Sequence, residues 1–93
     1  MFSSIDRIGR DKSLSVYPNP VTEQLFIELE LNQSANAVIK IIGLDGKHVR
    51  AIEAEVFSGQ NNFEIGIADL LPGIYFIEII SSKESWTIKI TKI

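Results

Sequence analysis

Apolar and polar residues alternate along most of this chain. Leu25, Ile27, Leu29 and Leu31 share one parity, while Gln24, Glu28 and Glu30 share the other. A period of two is the mark of a half-buried β-strand, because successive side chains point to opposite faces of a pleated sheet. Phe26 breaks the pattern and is expected to face outward. The alternation returns with Ala37, Ile39 and Ile41 against Lys40, and with Phe63, Ile65 and Ile67 against Asn62 and Glu64. It returns again with Trp86, Ile88 and Ile90 against Thr87, Lys89 and Thr91. Between Ile74 and Ile80 both parities are apolar, with Tyr75, Ile77 and Ile79 on one face and Ile74, Phe76 and Ile80 on the other. That strand is expected either at the centre of a sheet or with its outer face against a partner.

Turn signals separate these runs at the spacing of roughly 8 to 12 residues expected of a sandwich. Asn32 to Asn36 and Ser58 to Asn61 read as polar loops, Pro72-Gly73 as a break, and Ser81 to Ser85 as a hairpin connection. Asp45-Gly46 predicts a two-residue turn of the primed type, in which Gly adopts positive φ without steric cost. With a short first strand at Leu14 to Tyr17, the count reaches seven. The fold expected is therefore all-β, an immunoglobulin-like antiparallel β-sandwich of about seven strands over residues 14–93. Sixteen isoleucines against five alanines suit that choice. Residues 1–13 have no period and read as a linker or arm. In such sandwiches a tyrosine near the start of the sixth strand folds back onto the preceding corner. Tyr75 has the position for that role, and a local partner for its hydroxyl is expected over a ligand.

Composition narrows the function by exclusion. At 93 residues, 45% hydrophobic and 23% charged, the chain makes one small domain with little surface to spare for a deep pocket. A net charge of −3 gives no basic field to neutralise phosphates, so no nucleic acid is expected as a partner. The apolar run from Ile74 to Ile80 is interrupted by Glu78 and falls far short of the roughly 20 residues that a spanning helix needs. Met1 to Lys12 carries Asp6, Arg7, Arg10 and Asp11 where a signal peptide would have its apolar core. With no cysteine, neither a disulfide framework nor a thiolate metal site is available.

Candidate chemistry is sparse, and no catalytic residue, metal or other cofactor is expected. His48, the only histidine, follows the Asp45-Gly46 turn and reads as an exposed strand position rather than a general base. Glu28 and Glu30 point the same way along one strand, as catalytic carboxylate pairs do, but alternate positions on any solvated face give the same result. The six glycines form no phosphate loop, and Asn32-Gln33-Ser34 matches a glycosylation sequon that equally describes a polar loop.

The most distinctive segment is Val16-Tyr17-Pro18-Asn19-Pro20-Val21, where two prolines flanking an asparagine make a rigid corner. Together with Leu44-Asp45-Gly46-Lys47, the run Leu70 to Ile79 and a last strand bearing Lys89 and Lys92, this segment resembles a known family. The chain from about Leu14 to Ile93 looks like the type A C-terminal sorting domain of substrates of the type IX (Por) secretion system. The resemblance implies an immunoglobulin-like sandwich at the end of a larger secreted protein of a Gram-negative bacterium. It further implies transit through the periplasm, passage across the outer membrane by the type IX translocon, and delivery to the cell surface or the medium. A sortase-like protease would then usually remove the domain from its passenger. The sequence contains neither passenger nor signal peptide, so the remainder is expected to have been cut away or to be encoded elsewhere.

A sorting domain is a ligand and not a catalyst. The translocon is expected to read Lys89, Lys92 and the terminal carboxylate of Ile93, on a last strand with free backbone groups. The alternative is that these lysines only protect an edge strand from aggregation. Pro18, Asn19, Pro20, Asp45, Gly46, Lys47, Gly73 and Tyr75 match the family motifs and are expected to hold shape. A monomer is expected, with pairing through the last-strand edge or the outer face of the sixth strand as the alternative. From another functional class, a fibronectin- or immunoglobulin-like adhesion or carbohydrate-binding module would share the fold. It would need exposed aromatics on one sheet face, for which only Phe26, Phe57 and Phe76 offer themselves.

Overall fold

The structure is a computed structural model that describes residues 14–82 and 84–93. The arm expected over residues 1–13 lies outside the described residues. Seven strands follow in order: β1 (Leu14–Tyr17), β2 (Gln24–Leu31), β3 (Ala35–Gly43), β4 (His48–Val56), β5 (Gly59–Gly66), β6 (Gly73–Ser81) and β7 (Ser85–Lys92). They form two antiparallel sheets, β1-β2-β5 and β4-β3-β6-β7. In the constant-type immunoglobulin arrangement the fourth strand belongs with the first two. Here β4 pairs with β3 instead, because the tight turn at 44–47 makes the two strands neighbours.

The parity read from the sequence decides which side chains meet between the sheets. Leu25, Ile27 and Leu29 of β2 and Ile65 of β5 face Ile39 and Ile41 of β3, Ile77 and Ile79 of β6 and Ile90 of β7, all buried in one core. Side chains directly across the ladders pack as pairs, among them Ile39 with Ile79, Ile41 with Ile77 and Ile27 with Phe63. Each such side chain contributes about 1.5 to 3 kcal/mol on burial.

The doubly apolar strand β6 lies between β3 and β7, as one of its two expected placements required. On its outer face Phe76 is flanked by Ile42 and Lys89, and Ile80 lies opposite Val38, so these side chains are half-buried. Phe26 does face outward, and Tyr17, its cross-strand neighbour, covers it with ring centroids 5.7 Å apart and planes at 23°. The Tyr17 hydroxyl donates to Glu28 Oε2 at 2.7 Å, which holds the stack in place.

Two turn details differ from the sequence reading. Gly46 N–H donates to the Gly43 carbonyl at 2.9 Å, and Gly43 N–H donates to the Lys47 carbonyl at 2.8 Å. The central pair of the turn is therefore Leu44-Asp45, not Asp45-Gly46. Gly46 follows at φ +87°, giving the three-residue hairpin with a left-handed glycine. Asp45 favours this form because its Oδ1 accepts the Lys47 N–H at 3.0 Å. Asn61, expected in a polar loop, is instead a buried residue of β5. Its Oδ1 accepts the Phe57 N–H at 2.8 Å, and its Nδ2 donates to the carbonyls of Phe57, Gly59 and Leu29 at 2.8, 3.2 and 3.2 Å.

Candidate functional site

Strand direction gathers the distinctive segments at one end of the sandwich. Tyr17 lies opposite Phe26, Gln24 opposite Gly66, Gly43 opposite Tyr75, and Gly73 opposite Lys92. Residues 18–23, the 44–47 turn, the 67–72 connection and the chain terminus therefore share that end. The connections at 32–34 and 57–58 lie at the other end, where Ser58 bonds Asn32 and Ser34.

The Pro18-Asn19-Pro20 corner carries the chain from the small sheet to the edge of the large one, with both X–Pro bonds cis. There the Asn19 side chain substitutes for a neighbouring strand. Its Oδ1 accepts the Thr91 N–H at 3.0 Å, and its Nδ2 donates to the Lys89 carbonyl at 3.3 Å. Val21 continues the pairing: its N–H donates to the Thr91 carbonyl, and its own carbonyl accepts the Ile93 N–H, each at 2.9 Å. The result is a parallel bridge between Val21 and Lys92, with the Val21 side chain completely buried.

This clasp corrects the expectation of a last strand with free backbone groups, because the edge from Lys89 to Ile93 is largely occupied. In an antiparallel ladder, outward-pointing peptide groups recur at every second residue. The open stretch of β7 is accordingly Ser85 and Thr87, which have no partner on that side among the described residues. The three expected recognition residues divide. Lys89 is exposed and Ile93 is 60% exposed, whereas Lys92 is only 7% exposed. Lys92 shares the inward parity of Ile90, so its stem lies over the end of the core and its Nζ donates to the Ile93 carbonyl at 3.1 Å.

The remaining motif residues shape the same end. Tyr75 Oη donates to the Leu71 carbonyl at 2.6 Å, closing the corner ahead of β6 as the sequence led us to expect. Gly73 opens β6, and Lys47 is exposed beyond the turn that Asp45 and Gly46 define. His48 is exposed at the start of β4.

One contact here has no signal in the sequence. Arg50 lies opposite Ile41 and therefore points between the sheets. Its Nη1 donates to the Gly66 carbonyl, and its Nη2 reaches both oxygens of Asp69, at 3.0 and 2.7 Å. The guanidinium thus ties the edge strand β4 to the end of β5. The Arg50 hydrogen bond holds the Asp69 carboxyl below its usual range, helped by a backbone hydrogen bond and by the charge of Lys92. Among the described residues, no group of three His, Asp or Glu side chains comes together, and no helix is long and apolar enough to cross a membrane.

The family model for the secretion system C-terminal sorting domain matches residues 15–93, a span that runs from within β1 to the end of the chain. The chain belongs to this family. Comparison with curated protein sequences finds no match. As a type IX sorting domain it is a secretion signal that works with the secretion machinery of Gram-negative bacteria, and it implies export to the cell surface or the medium. In this sorting domain the VYPNP segment and the last strand, far apart in sequence, form a single hydrogen-bonded unit.

Proposed function

We propose that the domain directs a covalently attached N-terminal passenger across the outer membrane as a folded ligand of the type IX translocon, and that a sortase-like protease then removes it. The reading is supported by family membership over residues 15–93. The geometric observation behind it is that β1 begins at Leu14, opposite Leu29. The passenger would therefore join toward the 32–34 end, leaving the clasped end to face the machinery. Lys89 and the terminus of Ile93 are presented there on a fixed frame. Lys92 contributes by anchoring the Ile93 carbonyl rather than by offering its own charge. Such a ligand needs pre-organised surface groups and no reacting centre.

The test is to fuse residues 1–93 to an exported passenger and weigh the product that reaches the surface or medium. The expected result is a translocon-dependent passenger that has lost the mass of the domain. Delivery in a translocon-deficient host would overturn the export reading, and a delivered passenger still carrying the domain would overturn its removal.

A further inference from the structure

The exposed large apolar side chains are distributed unevenly. Among the described residues they are Tyr17, Leu44, Val49, Phe57, Leu71 and Ile93. Phe57 lies at the passenger-side end, and the others belong to the clasped end. Tyr17 is engaged by the Phe26 ring, and Val49 sits inside β4. Leu44 at 68%, Leu71 at 78% and Ile93 at 60% exposure are left as projecting groups. Each projects from backbone that the fold holds still. Leu44 occupies the centre of the turn closed by the Gly43 and Gly46 hydrogen bonds, the Leu71 carbonyl accepts the Tyr75 hydroxyl, and Ile93 is bonded to Val21. Polar residues would serve equally well in loops at those positions. Apolar groups held rigidly in water are the arrangement that a docking surface uses, since little ordering remains to be done on binding.

We propose that Leu44, Leu71 and Ile93 form an apolar tip that docks into an apolar recess on a protein of the secretion machinery. This rests on the sorting reading and adds to it the surface and the chemistry of its contact. The occupant follows from where the chain enters: residues 1–13 and any passenger join at Leu14, which lies toward the other end of the sandwich. The tip is thus the part of the exported protein farthest from its cargo attachment.

The experiment uses residues 1–93 behind a signal peptide and a passenger, in hosts with and without the translocon. A photo-crosslinking residue is placed at position 44, 71 or 57. Crosslinks from 44 and 71, but not from 57, to a type IX component are expected. The double variant Leu44→Ser/Leu71→Ser should lower translocon-dependent delivery about tenfold or more, while Phe57→Ser delivers like the parent. Melting of the purified variants verifies that exposed substitutions leave the fold intact. Crosslinks only to a second copy of the chain, none at all, equal crosslinking from 57, or full delivery of the folded double variant would each overturn the apolar tip. Parent delivery that ignores the translocon would instead overturn the sorting reading beneath it.

Discussion

Asn19 gives Thr91 and Lys89 the hydrogen bonds that a neighbouring strand would otherwise supply, accepting the Thr91 N–H and donating to the Lys89 carbonyl across some seventy residues of chain. An edge strand with unpaired peptide groups is a template for association with other chains. One amide side chain in the proline corner closes that edge near the terminus.

Asn19→Ala should therefore cost about 1 to 2 kcal/mol, the net value of two hydrogen bonds. The Thr91 amide should lose its protection against hydrogen exchange, while the amides between β3 and β6 keep theirs up to global unfolding. Denaturant titration and native-state exchange measure the two effects, and an unchanged Thr91 would show that the side chain does not hold the edge.

Val21 is a lone apolar residue between a proline and a polar pair, yet it has no accessible surface. Val21→Ala should cost about 2 kcal/mol or more, because the cavity opens under a hydrogen-bonded bridge that prevents collapse. Val49→Ala, at a 39% exposed site, should stay within about 0.5 kcal/mol. Equal midpoints in urea for the two variants would contradict the clasp.

Tyr75→Phe keeps the ring and removes only the donor to the Leu71 carbonyl. A loss of about 1 kcal/mol is expected, typical of one hydrogen bond. Thermal unfolding of the two proteins under identical conditions provides the comparison.

The Arg50–Asp69 pair makes a pH prediction whose sign is fixed by the lowered carboxyl pKa. A group depressed in the folded state stabilises above its unfolded pKa of about 3.9, and that contribution disappears as pH falls through the folded value. The parent should thus lose stability more steeply than Asp69→Asn below about pH 4. The difference should shrink with added salt, because the carboxylate is exposed. Parallel acid titrations that coincide would remove the strap from the account.

Strand order and core parity were legible because isoleucine-rich alternation extends over many residues in each element, and tertiary packing had only to agree with it. What escaped were single residues whose role depends on distant partners. Val21 carries no period, and nothing local distinguishes Asn61 from a loop asparagine, although its side chain holds Phe57, Gly59 and Leu29 together. Arg50 occupies a core-facing parity that a charged residue seems to disqualify. The Asp45-Gly46 pair signalled a hairpin correctly, but the Asp45 side chain shifted the turn by one residue. Of the expected recognition residues, Lys92 looked like an exposed charge because sequence cannot show that the strand ends over the core.

The sorting claim itself is tested most directly by export. Residues 1–93 are placed behind a signal peptide and a fluorescent protein, in a host with the type IX system and in its translocon-deficient mutant. The account predicts fluorescence at the surface or in the medium of the first and retention in the periplasm of the second. Retention of a folded fusion in both would contradict it, leaving a β-sandwich whose partner lies elsewhere.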